Sequence, residues 1–171
     1  MDPRTPFLRL LALFGPWISP ILLRMAANPV LTPNVQYAVP FFMVADMSLS
    51  LRFYTEGLGF ALKNQWVVDG KLRWCWLTLG GASLMLQEYN PGHIPPEKRG
   101  LGVSIWFQCL DSVALYREFQ SRGLTPQEPF VGNNMWDTKI VDPDGYNLHF
   151  ESPTTVSEET KLSDLPPGAA L

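Results

Sequence analysis

His149 is one of two histidines in the chain, and it stands in the run Tyr146-Asn147-Leu148-His149-Phe150-Glu151. Leu148 and Phe150 alternate with Asn147, His149 and Glu151, so a strand here puts the three polar groups on one face. An imidazole in that position has three chemistries open to it. It could ligate a divalent metal, act as a general base near neutral pH with help from Glu151, or form hydrogen bonds in a pocket wall. The other histidine, His93, lies in a proline-rich stretch and would reach the first only through a loop rearrangement. Cys75 and Cys109 are the only cysteines, each inside an apolar, strand-like run. Two such residues make neither a disulfide framework nor a zinc motif, and they read as buried thiols of a protein in the reducing cytoplasm.

The residues around this strand indicate how it is held. Asp142-Pro143-Asp144-Gly145 is a turn signal, and Lys139-Ile140-Val141 before it reads as the preceding strand of a hairpin. The chain has 171 residues, 46% hydrophobic and 17% charged, which suits a globular domain with a real core. A net charge of -3 and the lack of a Lys/Arg stripe argue against nucleic acid as a partner. Six tryptophans are many for this length, and they suit either a rich core or an aromatic-lined pocket.

The regular pattern occupies 34–152 and falls into two halves. In the first, about 35–90, a strand at 36–45 leads to a cap at Asp46 or Ser48 and a helix over 48–56. Leu49, Phe53 and Tyr54 fall at helical spacing there, and Gly57 and Gly59 close the helix. Strands at 60–68, 71–79 and 83–89 follow, separated by Asp69-Gly70 and Gly80-Gly81. A linker with two consecutive prolines covers 90–100. The second half, about 101–152, repeats the order: a strand at 101–109, a cap at Asp111 or Ser112, a helix over 112–122, then strands at 127–131, 135–141 and 146–152. An offset of 65 pairs Phe42 with Phe107, Val44 with Cys109, Asp46 with Asp111 and Tyr54 with Phe119, which argues for internal duplication. Residues 153–171, rich in Ser, Thr, Glu, Pro and Gly, read as a flexible tail.

Residues 1–33 read as an extension outside the fold. The stretch 7–25 is apolar but is broken by Pro16 and Pro20 and punctuated by Arg9 and Arg24, which makes a short, interrupted membrane helix and a poor signal peptide. A natural start at Met25 would also account for it. The folded part itself shows no membrane segment.

Two stretches resemble the vicinal oxygen chelate superfamily, which includes glyoxalases, bleomycin-resistance proteins and dioxygenases. One is Pro40-Phe41-Phe42-Met43-Val44-Ala45-Asp46, with Ser50, Phe53-Tyr54 and Gly57-Leu58-Gly59-Phe60. The other is the run 142–150. The resemblance implies an α+β fold: paired βαβββ modules forming a curved, open, barrel-like mixed sheet, with helices on the convex face. It also implies frequent dimerisation, here a homodimer, and in the enzymes a divalent metal held by His and Glu from four strands. On this sequence those four positions fall on Val39, Ser104, Met85 or Gln87, and His149. One strong ligand among four does not hold a metal, so no metal and no cofactor is expected, and a catalytic role rests on His149 alone.

The face presumed to line the cavity carries Phe41, Met43, Met85, Gln87, Trp106, Gln108, His149 and Glu151, with Trp66, Trp74, Trp76 and Trp136 nearby. Apolar and aromatic walls with sparse polar groups are what a small-molecule pocket needs. The pattern is similar to the bleomycin-resistance branch, whose members bind a planar cationic antibiotic, which implies metal-free binding or sequestration of a small aromatic ligand that can be cationic. The alternatives are a metal-dependent lyase, isomerase or dioxygenase of the same superfamily, and a non-catalytic interaction module.

Overall fold

The computed structural model describes residues 34–96 and 99–166. The expected extension, 1–33, lies outside the described residues. A compact unit begins at Val39 and holds every element described below.

The first module runs β1 (Phe41–Val44), α1 (Met47–Arg52), a π-helical turn (Phe53–Gly57), β2 (Ala61–Val68), β3 (Lys71–Leu79) and β4 (Ala82–Glu88). The second runs β5 (Ser104–Gln108), α2 (Ser112–Ser121), β6 (Phe130–Gly132), β7 (Met135–Val141) and β8 (Asn147–Pro153). The mixed sheet is divided into two four-stranded sheets of identical topology, β1-β4-β3-β2 and β5-β8-β7-β6. In each, the first strand pairs parallel with the last and the remaining pairs are antiparallel.

Duplication extends to the helix starts. The Asp46 carboxylate accepts the Leu49 N–H at 2.9 Å, and Asp111 accepts the Ala114 N–H at 2.8 Å. A group from the last strand of each module takes a second free N–H: Glu88 that of Met47, and Ser152 that of Ser112. Each such cap contributes about 1 kcal/mol by satisfying donors that have no partner within the helix.

Several strands are shorter than the pattern suggests. The first starts at Phe41 rather than 36, just after Pro40, whose ring removes a ladder donor. The fifth starts at Ser104 rather than 101, because Gly100 and Gly102 take positive φ. Proline at 126 and 129 delays β6 to Phe130.

One face of each sheet is buried against the rest of the unit. Phe42, Val44, Cys75, Leu77, Leu84 and Leu86 from the first sheet join Phe107, Ile140, Leu148 and Phe150 from the second in a common core. Tyr54, Phe60, Phe107, Phe150 and Phe119 form a run of edge-to-face and offset contacts through it, each pair worth about 0.5–1.5 kcal/mol beyond its burial.

The turn at 142–145 locks the two modules together. Tyr54 donates its hydroxyl to Asp142, whose other oxygen accepts the N–H groups of Asp144 and Tyr146. Asp144 accepts from the Ala45 N–H, the Ser50 hydroxyl and the Arg99 guanidinium. Ser50 and Tyr54 lie on either side of the junction where the α-helix widens to π geometry, and both are buried.

The stretch 153–166, expected to be a flexible tail, is folded onto the second module. Val131 and residues 159–160 exchange backbone hydrogen bonds at 2.9 Å. Val156, Leu162 and Leu165 pack against Val113, Val131 and Trp136. Composition misleads here because three spaced apolar residues suffice to cover a small satellite core.

Candidate functional site

Strand register sorts the candidate residues into rows. On the first sheet, Phe41 lies beside Met85, which lies beside Trp76; Met43 lies beside Gln87, which lies beside Trp74, and Trp74 beside Trp66. On the second, Trp106 lies beside His149 and His149 beside Lys139; Gln108 lies beside Glu151 and Glu151 beside Asp137. These rows occupy the faces opposite the buried core residues, since neighbours along a strand alternate. The eight expected site residues therefore form two sets of four, one on each sheet.

Three of the aromatic groups on these faces are open, while Trp74 and Trp76 are half-buried. Trp66 is 57% exposed, Trp106 51% and Phe41 46%. All eight residues of β2 are exposed. Trp136, grouped in the sequence with the pocket tryptophans, instead points to the core side and is buried. Its neighbours Met135 and Asp137 take the other face, so its position in the alternation decides the matter.

Two clefts adjoin the faces. One, of about 480 Å³, lies between the β3–β4 turn (Leu79, Gly80, Gly81) and the edge strand β5 (Trp106 to Gln108). The other, of about 200 Å³, is lined by Trp66, Arg73, Gln87 and Glu88 among others. Neither holds residues of both sets.

His149 has a partner that sequence reasoning missed. Its Nδ1 lies 2.9 Å and 3.1 Å from the two oxygens of Asp137. Both residues are buried. Lys139 is directly opposite His149, and Asp137 is two residues along the same face of β7, within diagonal reach. The Trp106 indole stacks on the imidazole, with ring centres 4.0 Å apart and planes at 14°. Glu151, the helper expected for His149, is held instead by the Gln108 carboxamide. One signal for Asp137 was present in the chain: aspartate is depleted in strands, and here it interrupts a strand otherwise suited to the sheet.

The first module shows what the fold needs at these places. By register, Phe41 corresponds to Trp106, Met85 to His149, Trp74 to Asp137 and Trp76 to Lys139. One sheet thus presents tryptophan and methionine where the other presents a charged and hydrogen-bonding set. The same correspondence resolves the register left open between Met85 and Gln87 in favour of Met85 as the counterpart of His149. The Lys63 ammonium rests over the Trp76 ring, 5.1 Å from its centre.

The four places where a superfamily metal would be held offer a valine, a serine, a thioether and one imidazole. Among the described residues no three His, Cys, Asp or Glu side chains converge as a metal would require. One imidazole among four such places is a poor donor set for a divalent ion.

Burial pushes both Cys75 and Cys109 up to about 11, where the reactive thiolate is scarce.

A family model described as the Glyoxalase/Bleomycin resistance protein/Dioxygenase superfamily matches residues 35–150. The chain belongs to this superfamily. No curated protein compared with the chain matches it. Among solved structures, this superfamily member resembles TnmS3, an antibiotic binding protein from Streptomyces sp. CB03234, at 24% identity and a TM-score of 0.54, over 70% of this chain and 98% of that one. It also resembles TioX from Micromonospora sp. ML1, at 15% identity and a TM-score of 0.57, over 70% and 99% of the two chains. A glyoxylase/bleomycin resistance protein/dioxygenase domain from Frankia sp. EAN1pec is similar at 19% identity and a TM-score of 0.57, over 71% and 99%. At these identities the likeness establishes the fold. Among the described residues, no helix of this superfamily member is long and apolar enough to cross a membrane.

Proposed function

We propose that this chain is a metal-free binding or sequestering protein for a small planar aromatic ligand, working as a homodimer in the cytoplasm. The observation that carries the reading is the pair of helix-free sheet faces, which leave Trp66, Trp106 and Phe41 open to solvent beside a few isolated polar groups. Such surfaces bind ligands or partners rather than stay bare. The partner that covers these faces is a second copy. The first sheet offers an aromatic wall and the second a hydrogen-bonding one, so pairing unlike faces across a two-fold axis makes two equivalent pockets, each with both kinds of wall. The cation-binding character of the aromatic wall is supported by Lys63, whose ammonium already uses the Trp76 ring face. The description of TnmS3 as an antibiotic binding protein is consistent with a role of this kind.

Titration with proflavine, a planar cation, followed by tryptophan fluorescence tests the reading. Saturable quenching is expected, with a Kd that changes less than about twofold after dialysis against EDTA, and sedimentation equilibrium should give a dimer. Stoichiometric Ni, Zn, Mn or Fe in the purified protein, lost together with binding on dialysis, would instead indicate the metal-dependent lyase, isomerase or dioxygenase. Absence of any ligand-induced change would leave the interaction module.

A further inference from the structure

We propose that Asp137 is a positioning residue that holds His149 as the Nδ1–H tautomer, so that Nε2 accepts a hydrogen bond from the hydroxyl of a phenolic ligand whose ring packs beside Trp106. This deepens the binding reading and rests on it, since it names the chemical class that the second sheet selects.

The geometry sets the tautomer. Nδ1 is nearly equidistant from both Asp137 oxygens, at 2.9 Å and 3.1 Å. An ionised carboxylate only accepts, so the proton between them belongs to Nδ1. In the neutral ring Nε2 is then a bare lone pair, directed away from Asp137. Among the described residues Nε2 makes no hydrogen bond, and the His149 side chain keeps 11% of its surface exposed.

A purely structural role for the pair is disfavoured by the duplication. At the corresponding places the first module has Trp74 and Met85, so the fold does not need an acid and an imidazole there. Burying both costs free energy that apolar residues would not incur. The remaining groups facing the site do not compete for Nε2. Glu151 is engaged by Gln108, and the Lys139 ammonium, although a donor beside His149, makes no hydrogen bond to the ring among the described residues. Trp106 covers one face of the imidazole and is half exposed itself, which provides an aromatic surface next to the acceptor. A phenol combines the ring and the donor that this arrangement would recognise.

Two measurements on the full chain at pH 8 test this. In long-range proton–nitrogen correlation spectra of labelled protein, His149 Nε2 should appear unprotonated and Nδ1 protonated. Asp137→Asn should mix or reverse the tautomer, and Asp137→Glu should restore it. By tryptophan quenching, 2-naphthol should bind at least about tenfold more tightly than 2-methoxynaphthalene, and Asp137→Asn should bring the two within about twofold. A wild-type Nε2–H or imidazolium overturns the proposal. So does equal binding of the two compounds, which would leave the binding reading standing, and so does a preference that survives Asp137→Asn. If proflavine binds and neither naphthalene does, the binding reading stands and this inference falls; if none of the three binds, both fall.

Discussion

Tyr54 donates its hydroxyl to Asp142 at 2.9 Å, joining the helix of the first module to the hairpin of the second. The bond is buried, and burial has opposite consequences for the two partners. It pushes the Tyr54 phenol well above its usual range, so the tyrosine remains the donor. It pushes the Asp142 carboxyl up to about 6 even though three hydrogen bonds favour its charged form.

A pH dependence follows from Asp142. Its unfolded value is near 3.9, below the folded one, so the folded state holds the proton more tightly. The associated stability is fully present below about pH 4 and is lost as pH rises through about 6, a change of roughly 2–3 kcal/mol from this group. Asp142→Asn keeps an acceptor for the Asp144 and Tyr146 N–H groups and cannot ionise. Its melting temperature should gain on that of the wild type between pH 4 and pH 7. Parallel curves for the two proteins would refute the assignment.

Gly100 has φ +63, and a Cβ there would lie 2.4 Å from the Gly145 carbonyl carbon and the Tyr146 nitrogen. Gly102, at φ +75, has nothing within 4 Å. Gly100→Ala should therefore cost roughly 2–4 kcal/mol in urea unfolding, from backbone overlap added to left-handed strain. Gly102→Ala should cost only about 1 kcal/mol, from strain alone. Equal costs would show that the contact with the 142–145 turn is unimportant.

Removing residues 154–171 takes away Val156, Leu162 and Leu165 and uncovers Val131 and Trp136. A loss of roughly 2–5 kcal/mol is expected from the apolar area exposed, along with a change in tryptophan emission as Trp136 meets water. An unchanged urea midpoint would return this stretch to the status of a loose tail.

With both thiols held near 11, reaction with a thiol reagent at pH 8 should be orders of magnitude slower in the native protein than in urea. Cys109, partly exposed, should react ahead of the buried Cys75. Fast labelling of Cys75 in the native protein would contradict its placement in the core.

Much of the architecture was legible because it is written in local, periodic signals. The caps at Asp46 and Asp111, the glycine turns, the two helices and the alternation of β7 and β8 each depend on residues close together in the chain. Their recurrence at an offset of 65 was enough to reveal the duplicated module. His149 on a polar strand face belongs with these, since alternation alone placed it.

Other features depended on contacts between distant segments. That His149 pairs with Asp137 rather than Glu151 follows from the β7–β8 register, which no residue type announces, because shifting that pairing by one residue would send every side chain to the other face. That the tail packs depends on the satellite core it finds around Trp136. The sequence by itself determined the module, its repetition and the polarity of each strand face. The tertiary structure alone decided that the site residues divide between two sheets, because alternation assigns a residue to a face but only long-range packing determines what that face meets.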